Sequence, residues 1–298
     1  MTTLILILPT ITAAQSYNPL TRQSLFFHDR SPKNSVLELG IGYSFGFDWI
    51  LFRDGDNANF PPTKMDIPLD SLAFGLQGHT FLTDDLAVRV QGWVNIPQKL
   101  RSDFVLYPAT PTVTPGLTPA TTSWDSSARY IEGDLAASYF FGLCGMPYAA
   151  GLTAGYRYID LSYDSVQVSA PSGTFQGHFQ VHIPYLGVYY GHTELVGSTF
   201  RLDILASPIT LARLDSNRYQ VPLPVRISGT SVTGFWFETL FEFSVPTSSG
   251  VFFGTFAKFN YLELNGGATM MDATKSTRFS MDSRKPLFVT GLNLSYRF

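Results

Sequence analysis

From residue 35 onward the chain alternates apolar and polar side chains with a period of two. That pattern belongs to extended strands with one apolar face, and it excludes long amphipathic helices, whose period is about 3.6. The final stretch is the plainest. Phe288, Thr290, Leu292, Leu294, Tyr296 and Phe298 fall on one face, and Leu287, Val289, Gly291, Asn293, Ser295 and Arg297 on the other. The same reading holds for Leu37, Leu39, Ile41, Tyr43 and Phe45 against Glu38, Gly40, Gly42 and Ser44. It holds again for Phe235, Phe237, Thr239, Phe241 and Phe243 against Trp236, Glu238 and Glu242. An apolar face opposed by a mixed or charged one is the pattern of strands with lipid outside and a polar lumen inside.

Ten such runs are expected, over about 35–50, 65–83, 85–104, 124–143, 147–164, 176–192, 198–213, 229–246, 250–265 and 284–298. Each reaches the roughly 9–11 residues that a tilted transmembrane strand needs. The connections are expected to alternate. Long ones fall around Asp54-Gly55-Asp56, Pro108 to Thr122, Pro171-Ser172-Gly173, Asp215 to Pro224 and Asn265 to Asp282. Short ones fall at Thr83-Asp84, Cys144-Gly145-Met146, Glu194 to Gly197 and Pro246 to Ser249. Alternation of this kind gathers long loops at one end and short turns at the other, as in outer-membrane barrels. Composition agrees: charged residues are 14% of the chain, against about 25% in ordinary soluble domains, and aromatic residues are 15%. Hydrocarbon cannot hydrogen-bond an open sheet edge, so the expected fold is all-β, a closed antiparallel transmembrane β-barrel of ten strands.

The first segment, Met1 to Ser16, has a short apolar core followed by Thr12-Ala13-Ala14. It reads as a signal peptide over 1–14, without the usual basic start, followed by an N-terminal periplasmic segment over 15–34 and a barrel over 35–298. The localisation expected is the outer membrane of a bacterial-type cell, with the long loops outside. Leu294, Tyr296 and the terminal Phe298 form an amphipathic ending of the kind read by barrel-assembly machinery. The expected partners are that machinery and outer-membrane lipid, including lipopolysaccharide; any external ligand is unknown. A net charge of −3 without a basic run excludes a nucleic-acid partner. The lone Cys144 forms no internal disulfide.

Strand parity sends Glu38, Arg89, Glu132, Asp134, Arg157, Arg201, Asp203, Glu238, Glu242, Lys258 and Arg297 to the interior. Charges of both signs in a narrow lumen pair and fill it, or line an ion path or a binding site. His178, Gln180 and His182 share a face, but two histidines four apart on a strand lie about 13 Å apart, too far for one metal. Asp54-Gly55-Asp56, with Asn57 and Asn59, resembles the start of a calcium loop but lacks its distal Glu. No metal or other cofactor is expected. Tyr43, Trp49, Tyr139, Tyr158, Tyr189 and Trp236 are candidates for interfacial girdles.

Gly151-Leu152-Thr153-Ala154-Gly155-Tyr156, His182-Ile183-Pro184-Tyr185-Leu186-Gly187 and Gly291-Leu292-Asn293-Leu294-Ser295-Tyr296-Arg297-Phe298 resemble the fifth, sixth and last strands of the omptins, ten-stranded outer-membrane proteases. The resemblance implies a cleft in which an Asp-x-His couple and an acidic pair activate water between them. The position of that couple here reads Asp215-Ser216-Asn217, and the opposite side offers Asp103 alone. Asn cannot take a proton near neutral pH, so the resemblance carries the fold and not the peptidase. Asp103 and Asp215, with His178 and His182, remain the catalytic candidates. The functions left open are a non-enzymatic barrel (narrow pore, surface binding or structural protein), a diverged omptin-like protease or other rim-sited hydrolase, and a transporter of small apolar molecules. Deleting Phe298 is expected to lower the yield of heat-modifiable barrel in outer-membrane fractions. An unchanged yield would remove the assembly role from the terminal residues.

Overall fold

A computed structural model of the chain describes residues 35–54, 63–83, 85–106, 120–141, 148–168, 173–193, 198–220, 223–248, 250–271 and 276–298. The segments 1–14 and 15–34, and Gly55 to Asn59, lie outside the described residues. Twelve strands are formed: β1 (Ser35–Asp54), β2 (Thr63–Pro68), β3 (Ser71–Phe81), β4 (Leu86–Ile96), β5 (Leu100–Leu106), β6 (Ala120–Phe141), β7 (Tyr148–Gln167), β8 (Thr174–Thr193), β9 (Thr199–Gln220), β10 (Leu223–Ser248), β11 (Val251–Met271) and β12 (Ser276–Arg297).

All pairings are antiparallel, and the sheet closes on itself. β1 pairs with β12 from Val36↔Arg297 to Asp54↔Phe279, which leaves no free edge. The near end of the barrel is where β1 begins and β12 finishes; the other is the far end. Around the near half the ring runs β12-β11-β10-β9-β8-β7-β6-β4-β3-β1. Around the far half β5 and β2 take the places of β4 and β3, since β5 pairs with β6, β2 with β5, and β1 with β2. Each circuit therefore has ten members, and the two extra strands come from breaks in the second and third expected runs.

The breaks have local causes. Pro68 closes β2 and Pro97 follows β4, and proline brings no N–H to a ladder. Asp70 Oδ1 accepts the Gly46 N–H at 2.9 Å, drawing the β2–β3 joint onto β1. At the other joint Asn95 replaces backbone with side chain. Its Oδ1 accepts the Tyr130 N–H at 2.6 Å, and its Nδ2 donates to the Ala128 carbonyl and to Ser71 Oγ, both at 2.9 Å. A further irregularity lies at Ser207-Pro208-Ile209 in β9, where the registers to β8 and β10 both slip by one residue. Ser207 and Thr210 both point inward and Pro208 and Ile209 both outward, the signature of a bulge.

Several strands run further than expected, and strict long–short alternation is not kept. β9 and β10 continue to Gln220 and from Leu223 through the stretch read as a loop over 215–224. β11 and β12 likewise occupy most of 265–282. The reason is an inversion of amphipathic sense along each strand. On the near half of β12 the outward residues Phe288, Leu292, Leu294 and Tyr296 are exposed and apolar, and the inward Asn293 and Ser295 are polar and buried. On its far half the outward residues are Ser280, Asp282 and Arg284, and the inward Phe279 and Met281 are buried. β7 and β8 do the same, with Asp160, Ser162, Asp164, Gln176, His178 and Gln180 outside, and Ile159, Leu161, Tyr163, Phe175 and Phe179 inside. A template of apolar-out strands alone sees the near half as strand and the far half as loop.

The near half thus carries an apolar belt about ten residues high on each strand, roughly 33 Å along the strand and about 25 Å tall once tilted. The far half is a barrel head with a water-compatible outside and an apolar core. The inversion has a measurable consequence. Leu292→Arg, outward at mid-belt, is expected to cost about 2–4 kcal/mol in urea unfolding from phospholipid vesicles. Ser280→Arg, outward on the same strand in the head, is expected to stay within about 0.5 kcal/mol. Equal costs would mean that the two halves share one environment.

Candidate functional site

The lumen is filled in three layers. At the near end Phe81, Phe140 and Tyr189 form an aromatic cluster with Ala87 packed against it. Above it lies a layer of ionisable side chains, and above that the apolar core of the head.

The ionic layer centres on Arg157 of β7, which is fully buried. Its Nε donates to Asp134 Oδ2 at 2.9 Å, its Nη2 to Glu238 Oε1 at 2.9 Å, and its Nη1 to Glu238 Oε2 and lies 3.3 Å from Glu132. The guanidinium also covers the ring of Trp236, 4.6 Å from its centroid. Lys258 of β11 donates to both oxygens of Glu132 on β6, at 3.2 and 3.3 Å. Arg89 of β4 reaches Asp203 of β9 at 3.0 Å and the Tyr185 hydroxyl at 3.3 Å, and that hydroxyl donates to Asp134 at 2.9 Å. Arg201 grips Asp203 at 2.6 and 3.1 Å and lies 3.5 Å from Glu242. Asn293 Nδ2 donates to Glu242 at 2.7 Å and to the half-buried Glu38 at 3.3 Å. Of the interior set read from parity, Arg297 alone has its side chain outside the described residues.

Neutral members of this layer, Tyr185, Asn260, Asn293 and Trp236, were not singled out for it by sequence, although they share the inward parity of the charges. Trp236 Nε1 donates to Asn260 Oδ1 at 3.1 Å inside the lumen, so Trp236 is no girdle residue, and neither is the buried Tyr189. Gly155 lets Tyr185 in: a Cβ at Gly155 would stand 2.4 Å from the Tyr185 ring. A second buried pair sits within the apolar head. Lys285 Nζ is 3.0 Å from Asp48, which also accepts from Ser283 at 2.9 Å and from the Tyr163 hydroxyl. Asp48 lies in step with Glu38 on β1, and that parity was the signal for it.

Of the catalytic candidates, His178 and Asp215 are cross-strand partners on the outer face of β8 and β9, whereas Asp103 and His182 stand apart from them. Asp103 on β5 is exposed on the outer wall and accepts from Ser123 Oγ at 3.2 Å. Asp215 on β9 also faces outward, and β6, β7 and β8 separate the two strands. Four strand spacings put them about 19 Å apart along the wall. No water can bridge them, and neither faces the lumen. His178 and His182 are on the outer face as well. His178 Nε2 lies 2.8 Å from Asp160 Oδ2, and His182 meets the Tyr156 hydroxyl. Among the described residues no group of three His, Cys, Asp or Glu side chains is arranged to hold a metal.

No family model matches the sequence, and no curated protein matches it either. Solved structures do. The outer membrane protease OmpT of Escherichia coli superposes with a TM-score of 0.76, over 92% of this chain and 100% of that one, at 13% identity. The fold is that of an omptin-like outer-membrane barrel. The translocator domain of the autotransporter NalP from Neisseria meningitidis is more distant, with a TM-score of 0.45 at 12% identity over 89% of this chain and 88% of that one. At such identities the likeness extends to architecture alone. The omptin-like barrel here places Asp103 and Asp215 outside, and described side chains from facing walls meet in the space between them.

The ionic layer makes a specific demand. Arg157→Met leaves Glu132, Asp134 and Glu238 buried without their shared cation, and is expected to cost about 3–5 kcal/mol of stability. Adding Glu238→Gln should recover part of that loss, because it removes one uncompensated charge. Additive costs in a urea double-mutant cycle would show that the groups are not coupled.

Proposed function

We propose that this chain is a non-enzymatic integral outer-membrane protein whose barrel is a sealed, rigid support for its far end, and that it is neither a pore nor an omptin-type peptidase. The observation that carries the reading is the Lys258–Glu132 contact. β11 and β6 are opposite members of the ring, so side chains from facing walls meet across the full lumen. Arg89–Asp203 and Arg157–Glu238 cross it in the same layer. The aromatic cluster below and the apolar core above leave an ion without a hydrated path. The outward placement of Asp103 and Asp215 speaks against a water activated between them.

In this reading the near end is periplasmic and the far end extracellular. The two longest connections, residues 55–62 and 107–119, join strands at that far end. The partners are the lipids of the outer membrane, including lipopolysaccharide around the belt, and the barrel-assembly machinery that receives the last strand. No cofactor enters.

The deciding experiment is conductance of the refolded protein in a planar lipid bilayer. The expected result is no discrete current steps from protein whose folding is verified by heat-modifiable migration. Steady unitary steps would overturn the sealed barrel and turn the lumen charges into a selectivity lining.

A further inference from the structure

The barrel wall is broken between the β2–β3 and β4–β5 joints, and a cavity lies directly behind the break. The β3–β4 ladder ends at Leu72↔Ile96, and the β2–β5 ladder begins only at Asp66↔Asp103. Between them residues 67–71 and 97–102 make no backbone pairs with each other. The wall to β6 is interrupted at the same level, from Val94↔Ile131 to Leu100↔Ser126. The cavity inside has a volume of about 30 Å³ and touches the wall residue Val94, with Leu69, Ala73, Trp93, Ala128 and Leu287 among its lining.

The chemistry of the lining selects the occupant. Its polar side chains are already engaged: Ser44 bonds to Ser71, Asn95 spans three partners, and Lys258 holds Glu132. Trp93 Nε1 is the lining atom left without a hydrogen-bond partner among the described residues, whereas a stable buried water needs about 2–4. An apolar group is therefore favoured over water. The axial approaches are blocked, by the ionic layer on one side and the apolar core of the head on the other. The break, by contrast, adjoins the rim of the apolar belt: Ile96, on its lip, is 50% exposed, and Phe47 on the neighbouring strand is 48% exposed.

We infer that the break between the β2–β3 and β4–β5 joints is a lateral port, through which the end of a single acyl chain from a surrounding membrane lipid enters the cavity beside Trp93. The site is continuous with the lipid-facing belt, and its size admits one chain terminus and no headgroup. Trp93 forms its back wall, lying so flat over Gly75 that a Cβ there would stand 2.5 Å from the indole. The inference rests on the membrane reading proposed above and goes beyond it.

The test uses thiol accessibility in a Cys144→Ser background, with protein reconstituted in phospholipid vesicles. Ala73→Cys places a thiol in the cavity, Ala136→Cys a thiol behind unbroken wall, and Ala137→Cys a thiol on the lipid-facing surface. Each is treated with a long-chain N-alkyl maleimide confined to the bilayer, and separately with a charged, membrane-impermeant maleimide. With the alkyl reagent A73C is expected to label within about tenfold of A137C, and A136C more than about tenfold slower, because access limits thiol reactivity. The charged reagent should leave A73C unlabelled. The port is overturned if A73C is as inert as A136C, if A136C labels like A73C, or if the charged reagent reaches A73C. Failure of A137C to label would instead overturn the membrane reading. Ala128→Cys, on the same cavity, replaces A73C if the latter does not fold.

Discussion

Everything in this molecule depends on satisfying the backbone where no water is available to do it. A strand surrounded by hydrocarbon loses several kcal/mol for each unpaired N–H or C=O, so the sheet must have no edge. The β1–β12 ladder provides that closure along the whole height of the barrel. Where the ladder fails, the replacement is explicit. Asn95 lends its side-chain amide to β6, Ser44 donates to the Leu69 carbonyl, and Asp70 takes the Gly46 N–H. These substitutions cluster at the joints of the two broken strands. They fall at the upper rim of the belt, where a wall can be interrupted without exposing a long run of backbone to lipid.

Closure forces a second decision, because a ten-membered ring is too wide to be empty and too narrow to hold much water. The interior is filled differently at different heights. Within the belt, inward residues are polar or ionisable and several meet across the lumen, with Arg157 held by Asp134, Glu238 and Glu132. In the head the inward residues are apolar and pack as a conventional core around Phe104, Trp124, Phe175 and Phe179. The outside inverts in step. Buried ion pairs are poor sources of net stability but costly to break, so the layer opposes slippage of the walls more than it strengthens the fold.

Among the described residues, the same layering keeps apart the two acidic positions expected from the omptin resemblance. A cleft that activates water needs its acids and base to face one another across open space. In this barrel that space belongs to the apolar core, and Asp103 and Asp215 stand outside it, about four strand spacings apart. The histidines at 178 and 182 face outward for the same reason of parity.

By itself the sequence determined that the chain is built of strands with one apolar face, that the strands close, and which residues of each near half look outward. Period two fixes the sidedness of Leu292 and Asn293 without reference to any neighbour. It could also have revealed Asp48, in step with Glu38. Tertiary structure alone decided which inward charges meet: Lys258 finds Glu132 because β11 and β6 stand opposite one another, a matter of ring size and stagger that no single strand encodes. It also decided how far each strand continues. Over 278–282 the outward residues Arg278, Ser280 and Asp282 are polar and the inward Phe279 and Met281 are apolar. Whether such a stretch is strand or loop depends on a partner beside it and a core beneath it, and both are supplied by segments distant in the chain.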